Sequence, residues 1–163
     1  MIDFTIKVLE TQELDDKTVQ QVDGLLHLLS PEAGAIEAGR LARLIKEGRL
    51  MLFVAEDHSD ELYEDSKDNG ISKVSQIIGM LTLCICPTLE MDKLLIEDVV
   101  VNEDYRGKGI GRRLVQEAVS HAKRLSSGSK LYLTSNPSRK TARAIYASEG
   151  FEEYNTGVFR MKL

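Results

Sequence analysis

A β-branched run that leads into a glycine-rich turn and then a helix constrains this chain more than any other segment. Val99–Val101 is typical of a buried strand, and Gly107, Gly109 and Gly111 follow at alternate positions. Such glycines let several backbone N–H groups point into one small space, because no Cβ blocks them and positive φ costs little. The segment therefore predicts a strand, an anion-binding turn and a helix in direct succession.

The composition of this turn favours a phosphate-bearing ligand. The helix behind it adds unpaired N–H groups and the positive end of its dipole. The glycine spacing excludes the dinucleotide fingerprint, which needs glycine where Arg112 stands, and the triphosphate loop, which needs Ser or Thr in place of Gly109. An ordinary glycine-rich connection is the alternative for the turn taken alone. Four basic residues surround it: Arg106, Lys108, Arg112 and Arg113.

Length and hydropathy bound the architecture. The 163 residues suit one domain with a single core, and we expect it to span residues 1–163. No apolar run approaches the roughly 20 residues that cross a bilayer. The first residues show no secretory signal, so a cytoplasmic location is expected by default, without membrane partners.

Charge is distributed unevenly along the chain. Residues 1–104 hold 9 Lys/Arg and 22 Asp/Glu, whereas residues 105–163 hold 12 Lys/Arg and 4 Asp/Glu. The basic part suits a polyanionic ligand and the acidic part suits a cationic one, although an uneven solvated surface explains the counts equally well. The net charge of −5 and the lack of aromatics among the basic residues disfavour nucleic acid.

Cysteine and histidine usage predicts no metal site. Cys84 and Cys86 are two apart in a strand-like run, where both lie on one face with no turn to join them, so free thiols are expected. His27, His58 and His121 are scattered without metal-ligand spacing.

Hydrophobic periodicity predicts a mixed α/β fold. The strand–helix–strand unit of residues 94–134 implies a parallel pair, and the earlier strands suit an antiparallel meander. The acidic residues 57–73 are predicted to form an exposed loop or a hairpin extension, and the sequence does not indicate its role. We expect a three-layer domain whose mixed, mostly antiparallel sheet has a central, splayed parallel pair flanked by helices. The predicted strands are 2–9, 50–55, 74–86, 94–101, 130–134 and two within 151–163; the helices are 15–29, 35–47, 111–125 and 136–149.

Two motifs give the chain a family resemblance. The run from Arg106 to Gly111 resembles the Arg/Gln-x-x-Gly-x-Gly/Ala loop of the GNAT superfamily of acetyl-CoA-dependent N-acetyltransferases, whose amides hold the coenzyme A pyrophosphate. Asn136, Ala144, Tyr146 and the pair Gly150-Phe151 resemble a second element of that superfamily. The element order matches over nearly the whole chain, and the specific match runs from about residue 94 to 151. The resemblance implies a GNAT-like fold with acetyl-CoA as co-substrate.

The coenzyme-binding residues follow from these motifs. In the strand, main-chain groups would pair with the pantetheine amides, and an N–H near Val99–Val101 would stabilise the thioester oxygen. In the last helix, Arg139 could meet a phosphate, Ala142 leaves room for the cofactor, and Tyr146 could reach the reactive end. The full predicted set is Val99, Val100, Val101, Arg106, Gly107, Lys108, Gly109, Ile110, Gly111, Arg112, Asn136, Arg139, Ala142 and Tyr146.

Three residues are the candidates for chemistry. Glu97 is the first candidate for the base that deprotonates the acceptor amine, and Asp98 is the second, with water as the remaining alternative. Two adjacent acids in an apolar strand are costly to bury without partners or function. By strand alternation they are expected to face opposite sides of the sheet. Tyr146 would protonate the leaving thiolate, and direct transfer is favoured over an acetyl-cysteine intermediate.

The acceptor is the least determined part of the prediction. The acidic first 104 residues favour a primary amine on a small cationic molecule, such as a polyamine, amino sugar or aminoglycoside-like compound. A protein N-terminus or lysine is the runner-up, and the acidic half argues weakly against a sugar phosphate. A non-catalytic module that senses acetyl-CoA is the alternative from another class. A homodimer is possible.

Overall fold

The computed structural model describes residues 3–59, 62–64, 71–73, 75–125 and 128–162 of this chain. Its strands are β1 (Phe4–Val8), β2 (Leu50–Asp57), β3 (Leu62–Glu64), β4 (Ile71–Lys73), β5 (Gln76–Cys86), β6 (Lys93–Val101) and β7 (Leu131–Leu133). The α-helices are α1 (Asp16–Leu29), α2 (Ala38–Lys46), α3 (Ile110–Leu125) and α4 (Lys140–Ser148).

The main sheet has the predicted mixed topology. Its strand order is β1-β2-β5-β6-β7, and every neighbouring pair is antiparallel except the parallel pair β6–β7. Of the two alternatives for the acidic segment, an exposed loop or a hairpin, the structure shows the hairpin, since β3 pairs with β4 as a separate two-stranded sheet. Within the described residues the parallel pair lies at one edge of the sheet rather than at its centre.

Helices cover both faces of the sheet because its central strands alternate apolar side chains to either side. On one face, Leu81 and Leu83 pack with Leu114 of α3 in the larger buried cluster. On the other face, Val54 and Met80 pack with side chains of α1 and α2 in a second cluster. The predicted three-layer architecture is confirmed.

Glycine occupies three positions where the backbone turns or bulges. Gly48 and Gly150 adopt φ of 66° and 91° just after α2 and α4, where a left-handed residue ends a helix. Gly79 lies at a bulge, where the β2–β5 register shifts. A Cβ there would lie 3.1 Å from the Val100 carbonyl oxygen, so the neighbouring backbone would have to shift slightly to admit it.

The predicted start of α4 at Asn136 and Pro137 is wrong. Asn136 Oδ1 accepts a hydrogen bond from the Ser138 N–H at 2.9 Å, which closes a local turn, and α4 begins only at Lys140. An asparagine side chain satisfies the backbone two residues on in a turn as readily as at a helix cap.

The two strands predicted within residues 151–163 are also wrong over the described part of that range. Residues 151–162 form no strand. Their alternating pattern is that of a strand, but a strand also needs a neighbour, and this stretch pairs with none of the described strands. Leu163 lies outside the described residues. Separately, no helix in the described ranges is long and apolar enough to cross a membrane.

Candidate active site

A gap between β6 and β7 is the central feature of the site. The two strands pair only from Leu94 to Ile96 of β6, whereas β6 continues to Val101. Within the described residues no strand pairs with the second half of β6 on that side. The splay that the sequence predicted is therefore present, and it leaves main-chain groups of β6 free to bind an extended ligand.

The hydrogen-bond pattern identifies which groups face this gap. The Asn102 N–H donates to the Ile78 carbonyl at 2.9 Å, so Asn102 points toward β5. Successive residues of a strand aim their N–H and C=O groups at opposite edges, so Val100 also points toward β5, while Val99 and Val101 point into the gap. The Val101 carbonyl accepts from Arg106 Nε at 3.2 Å. This leaves the main chain of Val99 as the group best placed for a ligand.

A distortion in β6 produces this orientation. Thr82 is paired with Glu97 and Met80 with Val100, so β6 has one more residue than β5 between the two pairs. Asp98 takes up the extra length with φ of 53°. A single residue added to a strand in this way bends it and redirects its amides.

The glycine turn follows β6 as predicted. Gly107 and Gly109 have φ of 77° and 84°, which L side chains rarely adopt, and α3 begins at Ile110. A Cβ at either glycine would meet no atom within 4 Å, so the space above the turn is open. The Ile110 side chain is buried, so only its main chain is available to a ligand. The turn thus combines left-handed glycines, a helix N-terminus and room for an anion.

The basic residues of the turn are exposed, and each also has a local partner. Arg106 donates to Glu103 at 2.9 Å, and Lys108 donates to the Asp104 carbonyl at 2.9 Å while lying over the Tyr105 ring. Arg112 lies 3.9 Å from Glu149. The Arg106 and Arg112 side chains keep 55% and 51% of their surface exposed, so both retain donors for a phosphate.

The two candidate carboxylates do not lie on opposite sides of the sheet. Glu97 is paired with Thr82, and the Thr82 hydroxyl donates to Asp98 Oδ2 at 2.8 Å, so both acids lie on the Thr82 face. The alternation fails because the extra residue in β6 rotates Asp98. That expectation from the sequence was therefore wrong, and the reason is a bulge set by pairing with β5.

The environments of the two acids differ. Glu97 has no hydrogen bond or ion pair to any described residue, and its side chain is exposed. Partial burial nevertheless raises the pKa of Glu97, and the adjacent charge of Asp98 raises it further. Asp98 instead accepts the Thr82 hydrogen bond in a partly buried position. Glu97 is thus the acid whose carboxylate accepts no hydrogen bond from a described residue.

The α4 helix contributes the third candidate. Tyr146 is buried at 9% exposure and packs edge-on against the Phe151 ring. Burial raises the pKa of the Tyr146 phenol, while the positive charge of Arg139 acts in the opposite direction. Arg139 precedes α4, and Ala142 lies partly buried against the larger core cluster. The phenol is therefore held protonated near neutral pH.

Two residues of the site were not predicted from the sequence. The Thr82 hydroxyl donates a hydrogen bond to Asp98. The only sequence signal for the side of the sheet on which Thr82 lies was the two-residue period that it shares with Cys84 in β5. Ser135, just beyond β7, has a buried hydroxyl with no hydrogen-bond partner among the described residues. Buried hydroxyls normally have partners, so this atom is an exception among the described residues.

Two features are of the kind that an extended, phosphate-bearing ligand needs. The turn combines open left-handed glycines with the N-terminus of α3, and the Val99 main chain faces the gap. A metal centre has no such support, because no group of three or more His, Cys, Asp or Glu among the described residues is arranged to hold one.

The sheet, its splay and the glycine turn define an acyltransferase-type fold, and comparison with known proteins identifies the family. The model of the Acetyltransferase (GNAT) family matches residues 34–151. The chain belongs to the GNAT acetyltransferase family.

Solved structures agree with this assignment at the level of the fold. A putative acetyltransferase from Agrobacterium tumefaciens is 22% identical over 98% of this chain and 99% of its own, with a TM-score of 0.70. A glucosamine-6-phosphate N-acetyltransferase from Arabidopsis thaliana is 20% identical over 98% of each chain, with a TM-score of 0.67. An aminoglycoside N-acetyltransferase in complex with coenzyme A is 15% identical over 99% of this chain and 96% of its own, with a TM-score of 0.70.

Proposed function

We propose that this protein transfers the acetyl group of acetyl-CoA directly to a primary amine of a small cationic molecule. The observation that carries the proposal is the splayed β6 strand, which presents the Val99 main chain and the exposed Glu97 carboxylate in one region next to the glycine turn. The family assignment supports acetyl transfer, and an aminoglycoside acetyltransferase with the same fold supports a small amine acceptor.

The turn and the gap bind the co-substrate in this proposal. The amides around Gly107 and Gly109 hold the diphosphate, and Arg106 and Arg112 add charge. The Val99 main chain pairs with the pantetheine arm as an added strand would. Acetyl-CoA, when bound, supplies an activated thioester.

The acceptor amine must lose a proton before it can attack, because an alkyl ammonium has a pKa near 10. Glu97 takes this proton directly or through one water. Partial burial and the charge of Asp98 raise the pKa of Glu97, which makes it a stronger base than an ordinary glutamate. The Val99 N–H stabilises the oxygen that gains negative charge during attack, and Tyr146 donates a proton to the departing thiolate.

Direct transfer is favoured over an acetyl-cysteine intermediate. Burial raises the pKa of the Cys84 thiol, a hydrogen bond with Thr82 acts in the opposite direction, and the charges of Asp98 and Glu97 raise it further. A thiol under that influence remains protonated and is a poor nucleophile. The Glu97 carboxylate, which deprotonates the amine in this proposal, therefore also suppresses the thiol as a competing nucleophile.

An amine panel tests the proposed reaction. Thiol release from acetyl-CoA is measured with a polyamine, an aminoglycoside, glucosamine 6-phosphate and a lysine-bearing peptide. We expect release with the small polycationic amines and little with the other two. Coenzyme A binding without release for any acceptor would indicate a sensor module, and turnover confined to the peptide would place the activity on proteins.

Replacement of Glu97 tests the assigned base. We expect Glu97→Gln to lower kcat/KM by about 100-fold near pH 7. The deficit should shrink toward pH 10, because the amine then loses its proton unaided, and below the raised pKa of Glu97, because the wild-type base is then protonated. Rate–pH profiles of wild type, Glu97→Gln and Asp98→Asn measure this. If only Asp98→Asn removes the acidic limb, Asp98 is the base instead.

A further inference from the structure

Asp98 has a backbone conformation that residues with a side chain rarely adopt. It is the one residue other than glycine with positive φ, 53°, in the described part of the chain. A Cβ makes that conformation unfavourable, so a residue that keeps it needs support from its surroundings. Glycine would take the same conformation without this penalty. An aspartate at this position therefore indicates that its side chain helps to hold the bulge.

The Thr82 hydroxyl provides this support from the neighbouring strand. Thr82 lies in β5 with 6% of its surface exposed, and its hydroxyl donates to Asp98 Oδ2 at 2.8 Å. A hydrogen bond to a carboxylate is stronger than one between neutral groups. No other described residue donates a hydrogen bond to the Asp98 side chain. The left-handed residue is thus tied to β5 through this one bond.

The bulge determines which residue of β6 faces the gap. Between the β5–β6 pairs on either side of Asp98, β5 has one residue and β6 has two. Without the extra residue Val99 would pair with Met80, and its N–H and C=O groups would turn toward β5. The left-handed conformation of Asp98 therefore decides whether the Val99 main chain is available to a ligand.

We propose that Thr82 is a positioning residue, whose hydroxyl holds Asp98 in the left-handed conformation and so keeps the Val99 main chain directed into the gap. Its importance for coenzyme A rests on the proposed function, in which Val99 pairs with the pantetheine arm. The Thr82 main chain is paired with Leu52 on one side and with Glu97 on the other. The effect is therefore assigned to the hydroxyl alone.

Thr82→Val removes the hydroxyl and keeps the branched shape of the side chain. Asp98 is only partly buried, so its released carboxylate can turn to water, and the left-handed backbone loses its support. We expect the fraction of molecules with Val99 in the gap to fall to about one tenth, which raises the apparent Kd for coenzyme A about tenfold. Isothermal titration measures this change.

Two variants accompany that titration. Thr82→Ser retains the hydroxyl and should bind coenzyme A with the wild-type affinity. Thr5→Val is the matched control, because it removes a strand hydroxyl that lies 2.7 Å from His58 Nε2 at the opposite edge of the sheet. A Thr82→Val protein that binds coenzyme A as tightly as wild type and keeps the left-handed conformation at Asp98 would overturn the proposal.

Nuclear magnetic resonance detects that conformation directly. In a residue with positive φ the amide and α protons lie close together, so Asp98 should show a strong nuclear Overhauser effect between them in the ligand-free wild type. The signal should be weak in ligand-free Thr82→Val and should return with saturating coenzyme A, because the ligand selects the bulged state. A weak signal in the wild type, or a strong one in the ligand-free variant, would contradict the proposal.

The same experiment separates this inference from the proposed function. A signal that weakens in Thr82→Val, but that coenzyme A does not restore, would support the role of the hydroxyl. It would refute the pairing of Val99 with the coenzyme, which is a part of the proposed function.

An Asp98→Gly background tests whether the hydroxyl acts through Asp98. Glycine adopts positive φ unaided, so adding Thr82→Val there should weaken coenzyme A binding by less than about twofold, against about tenfold in the wild-type background. An equal loss in both backgrounds would show that the hydroxyl acts through another group, and the proposal would then be wrong.

Discussion

Gly109→Glu is expected to weaken coenzyme A binding by at least about 100-fold, or roughly 2.7 kcal/mol. Gly109 lies in the turn before α3 with φ of 84°, and the space in front of it is open. A glutamate there would fill the volume assigned to the diphosphate and place a carboxylate beside it. Isothermal titration of wild type and variant with coenzyme A measures the loss.

Gly48→Glu controls for the damage that any side chain does at such a backbone. Gly48 also has positive φ, 66°, with no atom within 4 Å of its Cβ position, but it lies between α2 and β2. The free energy of unfolding should fall by a similar amount in both variants, about 1–2 kcal/mol, because each places a side chain at a left-handed backbone position. Only Gly109→Glu should have a reduced affinity for coenzyme A. Equal affinity of the two variants would refute the assignment of the turn.

The parts of the fold that were predictable depend on local rules. The strand–turn–helix unit needs β-branched residues, glycines and helical periodicity, all within about thirty residues. The ends of α2 and α4 follow from Gly48 and Gly150, whose positive φ values need no information from the rest of the chain. Tyr146, in contrast, was assigned to the site through the resemblance to the GNAT element, because its spacing on a helix alone indicates a packed core residue.

The features that were missed depend on pairing between distant strands. The rotation of Asp98 comes from a mismatch in length between β5 and β6, and no residue near Asp98 encodes it. Thr82 became part of the site only through that mismatch. Residues 151–162 have a strand pattern, but whether they form a strand depends on pairing with another strand, and they pair with none of the described strands.

The position of the two carboxylates shows how the extra residue in β6 affects the chemistry of the site. Regular alternation would place Glu97 and Asp98 on opposite faces. The bulge brings them to one face, where partial burial and, after it, the charge of Asp98 raise the pKa of Glu97. A distortion of one residue in β6 thus both frees the Val99 amide and tunes the neighbouring base.

Tyr146→Phe is expected to lower kcat by about 100-fold while coenzyme A affinity changes little, because only the proton donor to the leaving thiolate is lost. The ring stays, so its packing against Phe151 and its burial are preserved. Steady-state rates with saturating amine, together with titration of coenzyme A, separate the two effects. An unchanged kcat would remove Tyr146 from the chemistry.

The pH dependence of the same variant distinguishes a proton donor from a packing residue. Burial raises the pKa of Tyr146, so the wild-type rate should fall only above the ordinary tyrosine pKa of 10.0. The rate of Tyr146→Phe should be lower throughout and should not show this fall at high pH. Tyr154→Phe, which removes a phenol that is 66% exposed, is the control and should match wild type. A basic limb that persists in Tyr146→Phe would show that another group supplies the proton.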